Sequence, residues 1–411
     1  MLWYVATAQP MQDLEPFMPA ERLQDTINWL TDGARSASDD AQLLAGFCER
    51  LVDAGIPLWR VGVFLRTLHP DVFGRSAIWR EGRGVETGEA DFTLPDSEEF
   101  QTSPLHTAIA TAAPVRHRLT QNAPRNSLVL EELRAQGITD YVAFPLIFTD
   151  GSVHVSSMQT REPAGFSKGE VDAMAKIVPP LARVFEVRSL QRTAVTLLDT
   201  YVGNRSGARI MAGQIRRGHT DTLHAAIWLS DLRGFTALSD RLPPAAIVDL
   251  LNRYFDCQVP SIQKAGGEVL KFMGDGLLAV FPTADDGRDE REICESVLAA
   301  AREARAAVQG LDYMNGGHMA ERLNFGLALH VGDVLYGNIG GRGRLDFTCI
   351  GPAVNLAARM EKLAGNLGRS ILASTEFADH ARGDWADIGE YAVAGFARPQ
   401  RVFGLRDESA T

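Results

Sequence analysis

Asp231 and Asp275 stand in surroundings that suit metal-assisted phosphate chemistry. Asp231 ends the apolar run AAIWLSD, and Asp275 lies at the tip of LKFMGDGLLAVF, where Gly274-Asp275-Gly276 predicts a hairpin turn. If those strands pair, both carboxylates reach one sheet edge. A hard cation such as Mg²⁺ takes a few carboxylate oxygens, some backbone carbonyls and the oxygens of a phosphate-bearing substrate, and two such ions can activate an attacking hydroxyl and stabilise a departing oxygen. Lys271 lies between Leu270 and Phe272 in the same strand, so its ammonium shares a face with Val269 and Met273. Asn355 and Arg359 are four apart in a predicted helix, hence on one face, and a guanidinium makes paired, charge-assisted hydrogen bonds to phosphate oxygens. Taken singly, each has a plainer reading: turn geometry for Asp275, a snorkelling edge-strand amine for Lys271, and a helix-cap amide and a surface cation for the other two.

The elements that must position these groups follow from local pattern. AAIWLSDLRGFTAL reads as a buried strand turning near Gly234, and PPAAIVDLLNRYF as a helix with prolines at its start. GGEVLKFMGDGLLAVFP is two strands, Glu292–Val308 an Ala-rich helix, LNFGLALHVGDVLYGNIG a strand and turn, and VNLAARMEKLAG another helix. ILASTEFADHA and RPQRVFGL complete an α/β unit. Further upstream, Glu21–Leu51 has the apolar spacing of two short helices, with strand-like runs at Trp59–Leu65, Ser76–Arg80, Tyr141–Phe148 and Val153–Gln159. Thr149-Asp150-Gly151 supplies a hairpin turn, and Phe166-Ser167 opens a helix. Val187, Leu190, Ala194, Leu197 and Tyr201 step by three and four, the seam of a short coiled coil or one face of a single amphipathic helix. NRSGARIMAGQIRRGHTDT reads as the joint between domains. His106, Arg116, His117 and Arg118 read as a solvated basic stretch.

The chain has 411 residues, 41 Lys+Arg against 52 Asp+Glu, a formal charge of -11 and 45% hydrophobic residues, enough for two globular domains. The acidic balance argues against a broad nucleic-acid surface. Cys48, Cys257, Cys294 and Cys349 form no CxxC pair and read as buried thiols of a reducing compartment. The opening MLWYVATAQPMQDLEPF lacks a basic leader, and no run of about 18 apolar residues occurs. A cytoplasmic protein with no membrane partner is expected.

In order, spacing and context, SDLRGFT, LKFMGDGLLAVF and FTCIGPAVNLAARME resemble the motifs of the class III adenylate/guanylate cyclase catalytic domain, over roughly residues 222–406. The resemblance implies a ferredoxin-like α+β fold in which Asp231, Asp275 and the Leu232 carbonyl bind two Mg²⁺ or Mn²⁺ ions. It implies that Lys271 and Thr348 read the base, that Asn355 orients the ribose, and that Arg359 stabilises the pentavalent phosphorus. The Lys/Thr pair favours ATP, since guanylate cyclases tend to carry Glu and Cys there. Arg344 is the implied holder of the terminal phosphates, with Arg342, Arg398 and Arg401 as alternatives. The implied reaction is attack of the ribose 3′ oxygen on the α-phosphorus, giving cyclic AMP and pyrophosphate at a homodimer interface. A guanylate cyclase and a silent nucleotide-binding regulator are the rival readings; no GGDEF-like turn points to a diguanylate cyclase. FPLIFTDGSVHVSSM with FSKGEVDAMAKIVPPLARVFEV resembles a GAF-like sensory domain taking a small-molecule or protein signal. The expected organisation is a GAF-like domain over 1–183, a helical linker over 184–221 and the catalytic domain over 222–411.

Overall fold

A computed structural model describes residues 20–119, 127–283, 287–311 and 323–407; the reading of the opening segment falls outside them. The chain divides into two compact units between Leu197 and Leu198.

The first unit contains α1 (Ala20–Thr31), α2 (Asp40–Asp53), β1 (Arg60–Arg66), β2 (Gly74–Arg80), β3 (Gly84–Ala90), α3 (Glu98–Gln101) and α4 (Pro104–Thr111). It continues through β4 (Val115–Arg118), α5 (Leu128–Ala135), β5 (Asp140–Ile147), β6 (Val153–Thr160) and most of α6 (Lys168–Val202). Its strands form one antiparallel sheet in the order β3-β2-β1-β6-β5-β4. Period-two alternation splits the side chains between two cores. Val61, Val63, Val142 and Phe144 pack with Leu44 and Phe47 of α2 and Leu181 of α6. Tyr141, Ala143 and Val155 pack on the other face with Ala108 of α4 and Leu133 of α5.

The basic stretch is less solvated than expected. Arg116 grips the fully buried Asp140 through Nη2 at 2.6 Å and Nε at 3.2 Å, and Arg118 Nε lies 3.3 Å from the same carboxylate. Phe166 N–H donates to Asp140 at 2.9 Å, so the group fastens the approach to α6 onto β5. A reciprocal Ser167/Glu170 capping box then starts α6. That helix is longer than the coiled-coil spacing alone indicates. It is buried as far as Glu186, and from there Val187, Leu190, Ala194 and Tyr201 are exposed.

The second unit has α7 (Asn204–Met211), β7 (Thr220–Leu232), α8 (Phe235–Ser239), α9 (Pro244–Asp256), α10 (Val259–Lys264), β8 (Glu268–Met273) and β9 (Gly276–Pro282). Then follow α11 (Glu290–Gln309), β10 (Phe325–Gly341), β11 (Arg344–Ile350), α12 (Pro352–Asn366), β12 (Ile371–Ser374), α13 (Thr375–His380), β13 (Trp385–Tyr391) and β14 (Gln400–Leu405). The sheet runs β13-β14-β12-β10-β7-β9-β8, with β11 paired to β10. β10 passes unbroken through Gly332-Asp333 and turns only after Gly341. β7 is apolar on both faces because both are covered: Ala226, Trp228 and Leu232 meet α9, α10 and α11, while Ala225, Ile227 and Leu229 meet α12. The segment read as a joint is partly ordered by Glu268, whose buried carboxylate accepts from Ser206 N–H at 2.9 Å, Ser206 Oγ at 3.0 Å and Tyr336 Oη at 2.7 Å. Cys48, Cys294 and Cys349 are buried free thiols. Among the described residues, no helix is long and apolar enough to cross a membrane.

Candidate active site

By strand parity, Asp231 and Arg233 leave β7 on the side of Leu229, the side that α12 covers. Asp231 sits in the ladder between Gly276 of β9 and Gly326 of β10. Both glycines keep space open: a Cβ on Gly276 would lie 3.3 Å from Asp231 Oδ1, and one on Gly326 would fall 1.6 Å from Arg233 Nη2. The β8–β9 turn consists of Gly274 and Asp275, flanked by the Met273/Gly276 pair, and Gly274 adopts φ 70°. A side chain is strained there. Gly274→Ala is expected to destabilise the hairpin by about 1 kcal/mol, read as faster hydrogen exchange confined to β8 and β9.

The two carboxylates expected to act together are adjacent. Burial, then the Asp275 carboxylate, then Glu361 push the Asp231 carboxyl up to about 7, with Arg233 opposing. Such a pair is strained without a counter-charge, and a divalent cation relieves it. The donor chemistry therefore fits Mg²⁺ or Mn²⁺. Among the described residues no group of three or more His, Cys, Asp or Glu is placed to hold a metal ion. Leu232 is buried in the core beside the pair.

Arg233 and Glu361 were not singled out by sequence. Arg233 Nη1 lies 2.8 Å from Glu361 Oε1, and Nη2 donates to the Glu361 carbonyl at 3.0 Å. The pair ties the Asp231 end of β7 to α12. Its only sequence signal is adjacency: Arg233 follows the metal motif and Glu361 lies two residues past Arg359.

On α12, Asn355 and Arg359 are exposed, whereas Leu356, Ala357, Met360 and Glu361 are buried. At about 100° per residue, Arg359 stands about 40° from Asn355 but about 200° from Glu361 around the helix. Glu361 turns toward the acidic pair of its own chain, so Arg359 turns away from it.

Lys271 Nζ meets Asp346 of β11 at 2.5 Å. A register shift between Val269 and Lys271 breaks the simple alternation expected for β8. Asp346 and the buried Thr348 share a face of β11, so the ion pair brings Lys271 to the Thr348 side of that strand. Asp346 is a further residue that sequence reasoning passed over. Arg344 and Arg342 are exposed at the β10–β11 turn, Arg344 two residues from Asp346 on the same face of β11. Arg398 is exposed, and Arg401 is engaged by Asp387 and Glu390 at 3.8 and 3.4 Å.

Residues 219–395 match the family model described as adenylate and guanylate cyclase catalytic domain. An adenylate cyclase of Anabaena cylindrica is 30% identical over 216 residues, 49% of this chain and 40% of that protein. The terminal-differentiation-specific adenylate cyclase of Dictyostelium discoideum is 33% identical over 168 residues, 41% of this chain and 7% of its own length. The chain thus spans less than half the length of these relatives. Among solved structures, an adenylyl cyclase from P. aeruginosa is 28% identical with a TM-score of 0.39, covering 46% of this chain and 97% of that one. A guanylyl cyclase is 26% identical with a TM-score of 0.40, covering 47% and 99%.

Proposed function

We propose that the chain is an adenylate cyclase that converts ATP to cyclic AMP and pyrophosphate as a homodimer. The observation that carries this reading is the opposed placement on one protomer: an acidic pair at the end of β7 and an exposed Arg359 facing away from it. A two-fold partner supplies the missing half to each site. Exposed Phe272, Met273, Leu335 and Ile350 support such a contact, Leu335 and Ile350 being paired across the β10–β11 ribbon. The ferredoxin-like assignment rests on the β-α-β-β-α-β order of β7 to β10.

In this reading Asp231, Asp275 and the Leu232 carbonyl hold two Mg²⁺ or Mn²⁺ ions, which when bound supply Lewis-acid charge to the reacting hydroxyl and the phosphates. Lys271 and Thr348 bind the adenine ring, with Asp346 holding the lysine in place. Asn355 orients the ribose so that its 3′ oxygen lies in line with the α-phosphorus. Arg359 meets the charge that grows on the phosphate oxygens. Arg344 holds the terminal phosphates.

Over 1–183 we propose a GAF-like sensory domain, taking its own signal, with residues 184–221 as a helical linker and a cytoplasmic setting for the whole. The exposed Val187, Leu190 and Tyr201 support a dimer stalk. Guanylate cyclase activity is the second reading, and Thr348 in place of a cysteine disfavours it. Incubating the purified chain with ATP or GTP, with Mg²⁺ and with Mn²⁺, and separating the products tests both. Cyclic AMP is expected to exceed cyclic GMP by at least about tenfold; a preference for GTP, or no product with either nucleotide, would refute the assignment.

A further inference from the structure

The first unit encloses a cavity of about 580 Å³ between its sheet and the helices α3 to α5. That is the volume of a small-molecule site. Its walls are mainly apolar, with Phe64, Phe73, Ile109, Leu133 and Val155 contributing. None of its lining residues belongs to the cyclase site.

The wall also carries Arg66, Arg75, Arg80, Glu89, Glu99 and Glu132, and among these charged groups stands Arg60. It stands on the Phe64 face of β1, and its Nε is enclosed with no hydrogen-bond partner. No carboxylate lies within ion-pair distance of it among the described residues. Of the other guanidiniums in the wall, Arg75 is held by Glu89 at 2.9 Å, Arg80 by Glu86 at 2.5 Å, and Arg66 lies over the Phe73 ring. Directly opposite Arg60 in the β1–β6 ladder is Gln159, fully buried, with its Oε1 also unmet. Enclosing a cation without a counter-charge costs free energy. Such a group is tolerated where a ligand completes it, since stability is commonly given up at binding sites.

We infer that this cavity binds a small organic oxyanion, with its carboxylate or phosphate group on the Arg60 guanidinium and an aromatic or branched apolar body against Phe64, Phe73 and Ile109. Arg60 supplies charge and a directed N–H. The apolar walls exclude water from that contact and strengthen it.

The test uses the full chain and 8-anilinonaphthalene-1-sulfonate, an aromatic anion whose fluorescence rises in apolar surroundings. One saturable site per chain is expected, displaced by benzoate or by phenyl phosphate but not by the same concentration of neutral benzyl alcohol. Whichever of the two anions competes better identifies the head group. Arg60→Met is expected to weaken probe affinity at least about tenfold while leaving the ligand-free melting temperature equal or higher, because it removes an uncompensated cation. Ile109→Trp, which fills the cavity with Arg60 intact, is expected to abolish the saturable site, and Asp275→Ala is expected to leave it unchanged. Four results would each overturn the inference: no saturable probe binding, an affinity of Arg60→Met within twofold of wild type, displacement by benzyl alcohol as effective as by the anions, or a lower melting temperature of Arg60→Met. The last would make Arg60 a structural partner of Gln159.

Discussion

Arg359→Ala and Asp275→Ala, each alone, are expected to lower cyclic-nucleotide formation at least about a hundredfold, and mixing the two is expected to restore about a quarter of the wild-type rate. The single losses follow from the roles argued above: one removes charge that meets the transition state, the other an acidic donor whose partner Asp231 cannot replace it. Both side chains are at least partly exposed, so neither substitution opens a cavity. Recovery on mixing is the sharper outcome. Arg359 projects about 200° around α12 from Glu361, and Glu361 is the side chain of that helix turned to the acidic pair of its own chain. If each site draws on two chains, random pairing makes half of all dimers mixed. Every mixed dimer then has one intact site and one doubly defective site. A rate assay across mixing ratios should peak at equal amounts of the two variants. A flat, inactive profile with dimer content equal to wild type would place the whole site within one chain and remove the homodimer reading.

Much of this site was legible in sequence because its groups sit at element ends. Asp231 closes an apolar run and Asp275 occupies a glycine-flanked turn, and both signals are local. Asn355 and Arg359 share a helix face by spacing alone, and their exposure follows from the apolar residues that alternate with them. What escaped notice depends on pairings between distant segments. Asp346 matters because β11 folds back beside β8, and no period in RLDFTCIG marks it as the partner of Lys271. Arg116 looked like one charge in a solvated run, because Asp140, the residue that orders it, lies 24 positions away across β4 and β5. Gly326 has no turn or positive φ to advertise it; its role is the space it leaves for a side chain arriving from β7. Local placement was readable, then, and cross-strand compensation was not.

Arg233→Met is expected to destabilise the Asp231 end of the catalytic unit by about 3 kcal/mol, the scale for leaving a buried charge without its partner. Glu361 is the buried member, with 5% of its side chain exposed against 28% for Arg233. Once Arg233 is gone, the Glu361 carboxylate remains enclosed near two others of like sign. Glu361→Met is expected to cost less, about 1 kcal/mol, because the longer guanidinium can swing toward water. The double substitution replaces the ion pair by two apolar chains of similar length, and is expected to return to within about 1 kcal/mol of wild type. Gly326→Ala should resemble Arg233→Met, since its methyl would fall where Nη2 lies and push the guanidinium off Glu361. Native-state hydrogen exchange of the β7 and α12 amides measures this directly, without requiring the two units to unfold together. At about 1.4 kcal/mol per tenfold, the Arg233 variant should exchange roughly a hundredfold faster there. Equal exchange in both single variants, with no recovery in the double, would show that the pair contributes nothing to holding the acidic strand end against α12.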